Sequence, residues 1–279
     1  MRLFEKEKRT AGQIYEHYII EKELSARLKK ADREERKKIY KDVYDELYRR
    51  VSDHPQITRK IDAKAQKLSV FLKMKFLSGF LNQDSVFLEI GPGDCQLSFE
   101  AARHVKKVYA VDVSANITKN IQRPSNFELI ISNGVDIPVH AGTVSVAYSN
   151  QLMEHVHPDD AKDMLQGIYN ALAPGGVYIC FTPHRFSGPY DISKYFDLIA
   201  TGLHIKEYTN EELFHMFRSI GFSKVMPYMN LKAAYIRIPV SLVIILEKLL
   251  NLFSCRMRKR IAGTLLFRSV LGIRMAAEK

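Results

Sequence analysis

From Ser85 onward the chain alternates short apolar runs with amphipathic stretches, and no other feature of the sequence limits the fold so strongly. The runs are Val86-Phe-Leu-Glu-Ile90, Val108-Tyr-Ala-Val111, Phe127-Glu-Leu-Ile-Ile131, Val144-Ser-Val-Ala-Tyr148 and Val177-Tyr-Ile-Cys-Phe181. They are β-branched or aromatic, and most are bounded by Gly, Pro, Asp or Asn. Amphipathic segments such as 96–105 and 160–172 lie between several of them. Buried parallel strands joined by helices give this rhythm, so the body is expected to be an α/β doubly wound, mostly parallel sheet.

The ends of the runs carry the candidate chemistry. The first closes in Glu89-Ile-Gly-Pro-Gly-Asp-Cys95. Glycines at a strand-to-helix turn let the backbone approach a ligand closely, and the helix N-terminus behind them favours negative charge. As a dinucleotide fingerprint the turn is incomplete, because the third glycine of GxGxxG falls at Gln96. The second run ends at Asp112, about twenty residues beyond Gly91, where a carboxylate can accept both hydroxyls of a ribose. Asn133-Gly-Val-Asp-Ile-Pro138 follows the third run, with a polar side chain and a free backbone amide suited to an adenine edge. The fourth ends in Ser149-Asn-Gln-Leu-Met-Glu-His155, and Leu172-Ala-Pro-Gly-Gly176 turns the chain into the fifth.

Taken in order, these pieces resemble the class I S-adenosylmethionine-dependent methyltransferases over residues 70–230. The resemblance implies a Rossmann-like, seven-stranded sheet with a reversed hairpin at one edge. Ile220-Gly-Phe222 and the run to Met229 would begin that hairpin, and Gly272-Ile-Arg-Met-Ala-Ala277 would close it. The cofactor implied is S-adenosyl-L-methionine. Glu89, Gly91 and Gly93 would cradle its methionine half, Asp112 the ribose, Asn133 and Gly134 the adenine, and Asn150 the region near the methionine end. Two positions depart from the family pattern: Cys95 replaces its third glycine, and Asn133 its usual adenine-side aspartate.

Methyl transfer from a sulfonium is an in-line displacement, so the enzyme chiefly positions the nucleophile. A hydroxyl nucleophile also benefits from a base, for which histidine suits neutral pH. His155 and His184 are the catalytic candidates, with His157 a lesser one, because ligands in this fold sit at the carboxyl ends of the strands. Gln151-Leu-Met-Glu-His155 is similar to the Glu-x-x-Glu-His pattern by which some quinone O-methyltransferases bind a divalent metal. Gln151 removes one charged ligand, and no metal is expected. The long segment 182–208 suits a cap facing the substrate, with Tyr190, Asp191 and His204 as linings.

Charge divides the chain into three. Residues 1–84 carry 21 basic and 14 acidic side chains, 85–230 carry 11 and 15, and 231–279 carry 10 and 2. A mildly acidic body thus lies between basic flanks, which favours a polyanionic partner or an anionic lipid surface. The first flank, 1–56, is expected to be a basic helical extension. Its Tyr40, Tyr44 and Tyr48 share a helix face, most simply as a packing seam, and Ser52-Asp-His-Pro55 ends that helix. A third helix is expected from Gln56 to Leu81. Residues 57–279 would then form the methyltransferase domain, interrupted at about 231–270 by a basic, apolar helical insertion.

Within that insertion the apolar Ile238–Leu246 and Leu249–Phe253 runs precede Cys255-Arg-Met-Arg-Lys-Arg260. The run is too short to span a bilayer, and helix plus basic cluster suit an anionic membrane surface through 238–268, or a packing face against the body or a second copy in a homodimer. Three cysteines form no disulfide framework, and the N-terminal residues lack a secretion signal's apolar run, so a cytoplasmic enzyme, peripheral at a membrane, is expected.

The leading expectation is O-methylation of a small or carrier- or lipid-linked acceptor. A nucleic-acid methyltransferase recruited by the basic flanks is an alternative, disfavoured because Ser149-Asn-Gln-Leu152 stands where base N-methylating relatives carry Asn-Pro-Pro-aromatic. A noncatalytic binding protein that keeps the fold is the third.

Overall fold

The computed structural model describes residues 9–54, 63–114, 122–231 and 234–279. Helices α1 (Ala11–Lys30), α2 (Arg33–Arg50) and α3 (Ala63–Leu77) precede the sheet. Thr10 starts α1 with a capping box, in which its hydroxyl accepts from the Gln13 amide and the Gln13 side chain accepts from its own. Asp32 caps α2, which stops ahead of the expected break at Ser52. The first part of the third expected helix, 56–62, lies outside the described residues.

Among the described residues eight strands follow: β1 (Val86–Ile90), β2 (Lys107–Asp112), β3 (Phe127–Ile131), β4 (Val144–Asn150), β5 (Leu172–Thr182), β6 (Lys224–Leu231), β7 (Ala234–Arg237) and β8 (Ile273–Glu278). They form one sheet in the order β3-β2-β1-β4-β5-β8-β6-β7. The first five are mutually parallel. β8 runs antiparallel between β5 and β6, which is the reversed hairpin expected at this edge. Strand order reverses between β1 and β4, so the ligand crevice belongs at the carboxyl ends of these two strands.

One correction concerns the edge. The sheet has eight strands rather than seven, because 234–237 pairs with β6 instead of starting the helical insertion. Tyr235 and Ile236 favour extended backbone. The Tyr235 ring also packs on Phe76 and Phe181, with centroids 4.5 and 5.9 Å apart. A second detail lies at Leu172–Gly176, where the pairing jumps from Val144↔Leu172 to Val146↔Val177. A Cβ at Gly176 would stand 2.9 Å from the carbonyl oxygens of Ala173 and Val144, so only glycine fits.

Alternation along the strands fills two apolar layers. Leu88, Ile90 and Tyr178 pack with Met164, Leu165 and Ile168 of α5 (Pro158–Ala171) and Phe217 of α6 (Asn210–Ile220). Phe87, Val108, Tyr148 and Ile179 face the other way, toward Phe76 and Leu77 of α3 and Leu97 of α4 (Gln96–Ala101).

The insertion between β7 and β8 is three helices, α7 (Val240–Asn251), α8 (Cys255–Ala262) and α9 (Leu265–Leu271). Glu247 docks it on the body. This fully buried carboxylate accepts from the Asn210 and Glu211 amides at the start of α6, from the Asn210 side chain, and from the His184 ring. A helix N-terminus supplies unpaired amides and partial positive charge, which is what a buried carboxylate requires. Among the described residues no helix is long and apolar enough to cross a membrane.

Candidate active site

The turn after β1 has the backbone of a ligand cradle. Gly91, Gly93 and Cys95 all adopt left-handed φ, +66°, +58° and +57°. Cys95 therefore keeps the conformation of the glycine it replaces, at the strain cost of a side chain. At Gly91 a Cβ would press Leu152 Cδ1 at 3.1 Å, so the turn also abuts the loop after β4. At Gly93 nothing lies within 4 Å of a Cβ position, which leaves open space over the turn.

Two acids flank this space, Glu89 buried and Asp112 half-buried. Glu89 is held by the Ser98 hydroxyl, which donates at 2.5 Å, and burial pushes its carboxyl up to about 7. Asp112 ends β2 and accepts from the Gly93 and Ser114 amides at 3.3 and 3.2 Å. Burial raises its carboxyl as well, against those two amides. Neither carboxylate is paired with a cation among the described residues, and together they suit a ligand carrying an ammonium and a ribose.

The third predicted element behaves differently. Asn133 Oδ1 accepts from the Val135 and Asp136 amides, and its Nδ2 donates to Asp136. The side chain holds the loop's shape, and the Gly134 amide donates to the Ser132 hydroxyl at 3.3 Å. That glycine has φ +87°, and a Cβ there would come within 3.0 Å of Val113 and 3.3 Å of Tyr40. Asn150 occupies the carboxyl end of β4, half-buried, before a left-handed Gln151.

Beyond β4, Glu154, His155 and His204 come together, each offering a ligand atom within 4.8 Å of the others. His155 Nδ1 donates to the Leu203 carbonyl at 3.0 Å. Burial and the neighbouring His204 hold its ring down to about 3, so it stays neutral. Burial pushes Glu154 up to about 7. At His204 burial acts downward, but the hydrogen bond to Glu207 and nearby carboxylates raise the ring to about 8.

His184 and His157 are placed otherwise. The His184 ring is buried, with Nε2 donating to Glu247 at 2.7 Å and Nδ1 accepting from the Phe186 amide. Both nitrogens are engaged, so His184 anchors the insertion and is not positioned as the base expected from sequence. His157 caps α5 through Nδ1. Within the 182–208 segment Glu207 accepts from the Tyr190 amide and Asp191 from the amides of Ser193 and Gly202.

The N-terminal helices contribute more than the sequence suggested. Tyr40 donates to Asp160 and accepts from the His157 amide, and Arg36 pairs with the same carboxylate. Tyr44 lies edge-on to His155 at 5.8 Å. Burial and the charge of Asp112 raise the Tyr48 hydroxyl to about 12, and its ring packs edge-on to His54 at 5.4 Å. Glu21 accepts from the Leu203 amide at 3.0 Å, so α1 positions the same residue whose carbonyl orients His155. The four-residue spacing of the tyrosines was a sufficient signal for a shared face, but not for which face of the body it covers.

A family model for the methyltransferase domain matches residues 87–176, from β1 through the Gly175-Gly176 turn. No curated protein matches the chain. Solved structures share the fold at low identity. A chain from the complex of the Haloferax volcanii Trm112 methyltransferase activator with a candidate methyltransferase is 14% identical, with a TM-score of 0.53, covering 77% of this chain and 92% of its own. An S-adenosylmethionine-dependent methyltransferase from Archaeoglobus fulgidus is 14% identical, with a TM-score of 0.51 and coverage of 76% and 94%. The phosphoethanolamine N-methyltransferase 2 of Haemonchus contortus, in complex with phosphomonomethylethanolamine and S-adenosylhomocysteine, is 15% identical, with a TM-score of 0.50 and coverage of 77% and 53%. With the glycine turn, the paired acids and the strand order in place, residues 87–176 match a methyltransferase domain, and the chain shares the fold of S-adenosylmethionine-dependent methyltransferases.

Proposed function

We propose that this methyltransferase acts on an oxygen of a small or carrier- or lipid-linked acceptor, and that it works at an anionic membrane surface. Glu89, Gly91 and Gly93 hold the methionine half of S-adenosylmethionine, Asp112 the ribose, the backbone at Asn133 and Gly134 the adenine, and Asn150 the methionine end. When bound, the cofactor supplies an electrophilic methyl group on a sulfonium. The protein's own part is to position the acceptor and keep water out. α1 and α2 cover the crevice, and His155 orients the acceptor hydroxyl. Its Nδ1 proton is fixed on Leu203, so Nε2 presents a lone pair beyond the end of β4.

The observation that carries the membrane reading is the outer surface of α7–α9. Leu252, Leu265 and Leu266 are 81%, 88% and 67% exposed, with Ile245, Leu249 and Phe253 also uncovered. Arg256, Arg260 and Arg268 are exposed within the same helices. Apolar side chains beside cations match the acyl boundary and headgroups of an anionic lipid layer. Sedimentation with vesicles tests this. The full chain should pellet with phosphatidylserine-containing vesicles but not with phosphatidylcholine alone, and Leu265→Ser with Leu266→Ser should abolish pelleting. Equal pelleting by both proteins, or none by either, would refute the membrane reading. A salt-sensitive shift with RNA in its place would favour the nucleic-acid alternative.

A further inference from the structure

We propose that Glu154, His155 and His204 form a binding site for one divalent transition-metal ion of the zinc class. The case rests on which atoms are already used. His155 Nδ1 donates to the Leu203 carbonyl, a group that can only accept, so the lone pair lies on Nε2. His204 Nδ1 is bound to the Glu207 carboxylate at 2.7 Å, which likewise leaves Nε2 for a ligand. Glu154 Oε2 accepts from Thr182 at 2.8 Å, while Oε1 is buried without a hydrogen-bond partner. Two imidazole nitrogens and one carboxylate oxygen are thus left over, in a group whose side chains lie against each other.

Each donor has the outer partner that metal ligands characteristically have: a backbone carbonyl behind one histidine, a carboxylate behind the other, a hydroxyl on the glutamate. Glu207 is itself fixed by the Tyr190 amide. Leaving Glu154 Oε1 unpaired in a fully buried position is costly unless something charged or donating occupies the space. A tetrahedral zinc with bonds of 2.0–2.1 Å sets its ligand atoms about 3.3 Å apart, a spacing that one ligand atom from each of these three side chains, within 4.8 Å of the others, approaches. The nitrogen-rich donor set selects zinc-class ions over magnesium or calcium, which take oxygen ligands. Three protein ligands leave a coordination position open, and the buried Tyr44 hydroxyl beside His155 lacks a partner that an ion-bound water would provide.

The comparison with a second cluster sharpens this. His17, Glu21 and His54 also lie close together. There His17 uses both ring nitrogens, Nδ1 toward Arg9 at 2.8 Å and Nε2 toward Glu21 at 2.7 Å. No lone pair remains on that ring, and the adjacent guanidinium repels a cation. Gln151 is exposed and takes no part in either group.

A bound ion would staple the 182–208 segment to the end of β4. In the loaded protein it takes the His155 lone pair, and the acceptor oxygen occupies the open position; that last point alone rests on the methyl-transfer reading.

The test uses the full chain, free of any histidine tag and stripped with chelator. Titration with Zn2+ should give one site per chain, and Co2+ should give visible d–d absorption. His204→Gln and His155→Gln should each weaken Zn2+ binding at least tenfold, while His17→Gln should leave it unchanged. Millimolar Mg2+ should not displace the ion. Absence of binding by the folded protein, retention of binding in His204→Gln, loss only in His17→Gln, or displacement by Mg2+ would each overturn the proposal. Affinity of His204→Gln for S-adenosylhomocysteine, measured alongside, separates failure of the metal site from failure of the methyltransferase reading.

Discussion

Arg36 and Asp160 form a buried, two-pronged ion pair: Nε and a terminal nitrogen of Arg36 each donate to a separate carboxylate oxygen at 2.7 Å. Tyr40 adds a third donor to the same carboxylate, also at 2.7 Å. The pair fastens α2 to the start of α5, and so holds the tyrosine face over the crevice. Planar guanidinium geometry matches the carboxylate, and lysine could not reproduce it.

Removing one partner leaves the other charged and buried. Arg36→Met is expected to destabilise the protein by about 3 kcal/mol, read as a lower urea midpoint. Against burial, the Arg36 and Tyr40 hydrogen bonds lower the Asp160 carboxyl. Its contribution is therefore complete above the ordinary aspartate range and is lost as pH falls through the lowered native value. In Arg36→Met that acid-side loss should shrink. An unchanged urea midpoint would show that the pair does not hold α2.

Glu89 gives a pH prediction of opposite sign. Its native carboxyl stands near 7 instead of the ordinary 4.5, so the free folded state holds a proton that the unfolded chain has released. That raised value contributes stability below about 4.5 which is lost as pH climbs toward 7. An ammonium brought beside Glu89 lowers the carboxyl again and expels the proton. Calorimetry at pH 6.5 in buffers of different ionisation enthalpy should therefore record proton release when S-adenosylmethionine binds. Heats independent of the buffer would remove Glu89 from contact with the amino group.

Glu247 should control the insertion. Burial raises its carboxyl, but His184 and the α6 amides outweigh that and lower it. Glu247→Ala deletes four hydrogen bonds to buried or part-buried donors, and a loss of about 3 kcal/mol is expected. Hydrogen exchange should then speed up across α7–α9 before it does so in β1–β5. Uniform acceleration through both regions would mean that the insertion has no separate docking point.

Cys95→Gly should stabilise the fold modestly, by about 1 kcal/mol, because it relieves left-handed strain at φ +57°. The lost packing of a buried side chain reduces the gain without reversing it. A clear loss of stability in thermal unfolding would mean that packing outweighs the strain.

The parallel body was legible because buried strands and amphipathic helices leave distinct periodicities, and its five runs lie where the sequence placed them. The reversed edge was legible in part. Residues 234–237 carry too short a pattern to be separated from the helices beyond, and pairing with β6 decides their state. At the site, Gly91, Gly93 and Asp112 sit together because a strand-end turn is a local feature. The Glu21–Leu203–His155 relay and the approach of His204 to Glu154 depend on contacts across well over a hundred residues in the first case and about fifty in the second. No local spacing encodes such meetings. His184 illustrates the opposite error: its position in the chain suited a base, but its partner Glu247 lies on a distant helix.

The most direct measurement is calorimetric titration of the full chain and of Asp112→Ala with S-adenosylmethionine. Binding to one site in the native protein is expected, weakened at least tenfold in the folded variant, since Asp112 loses its hydrogen bonds to a ribose. Equal affinity in the two proteins would contradict the ribose assignment, and no binding by the folded native chain would contradict the function itself.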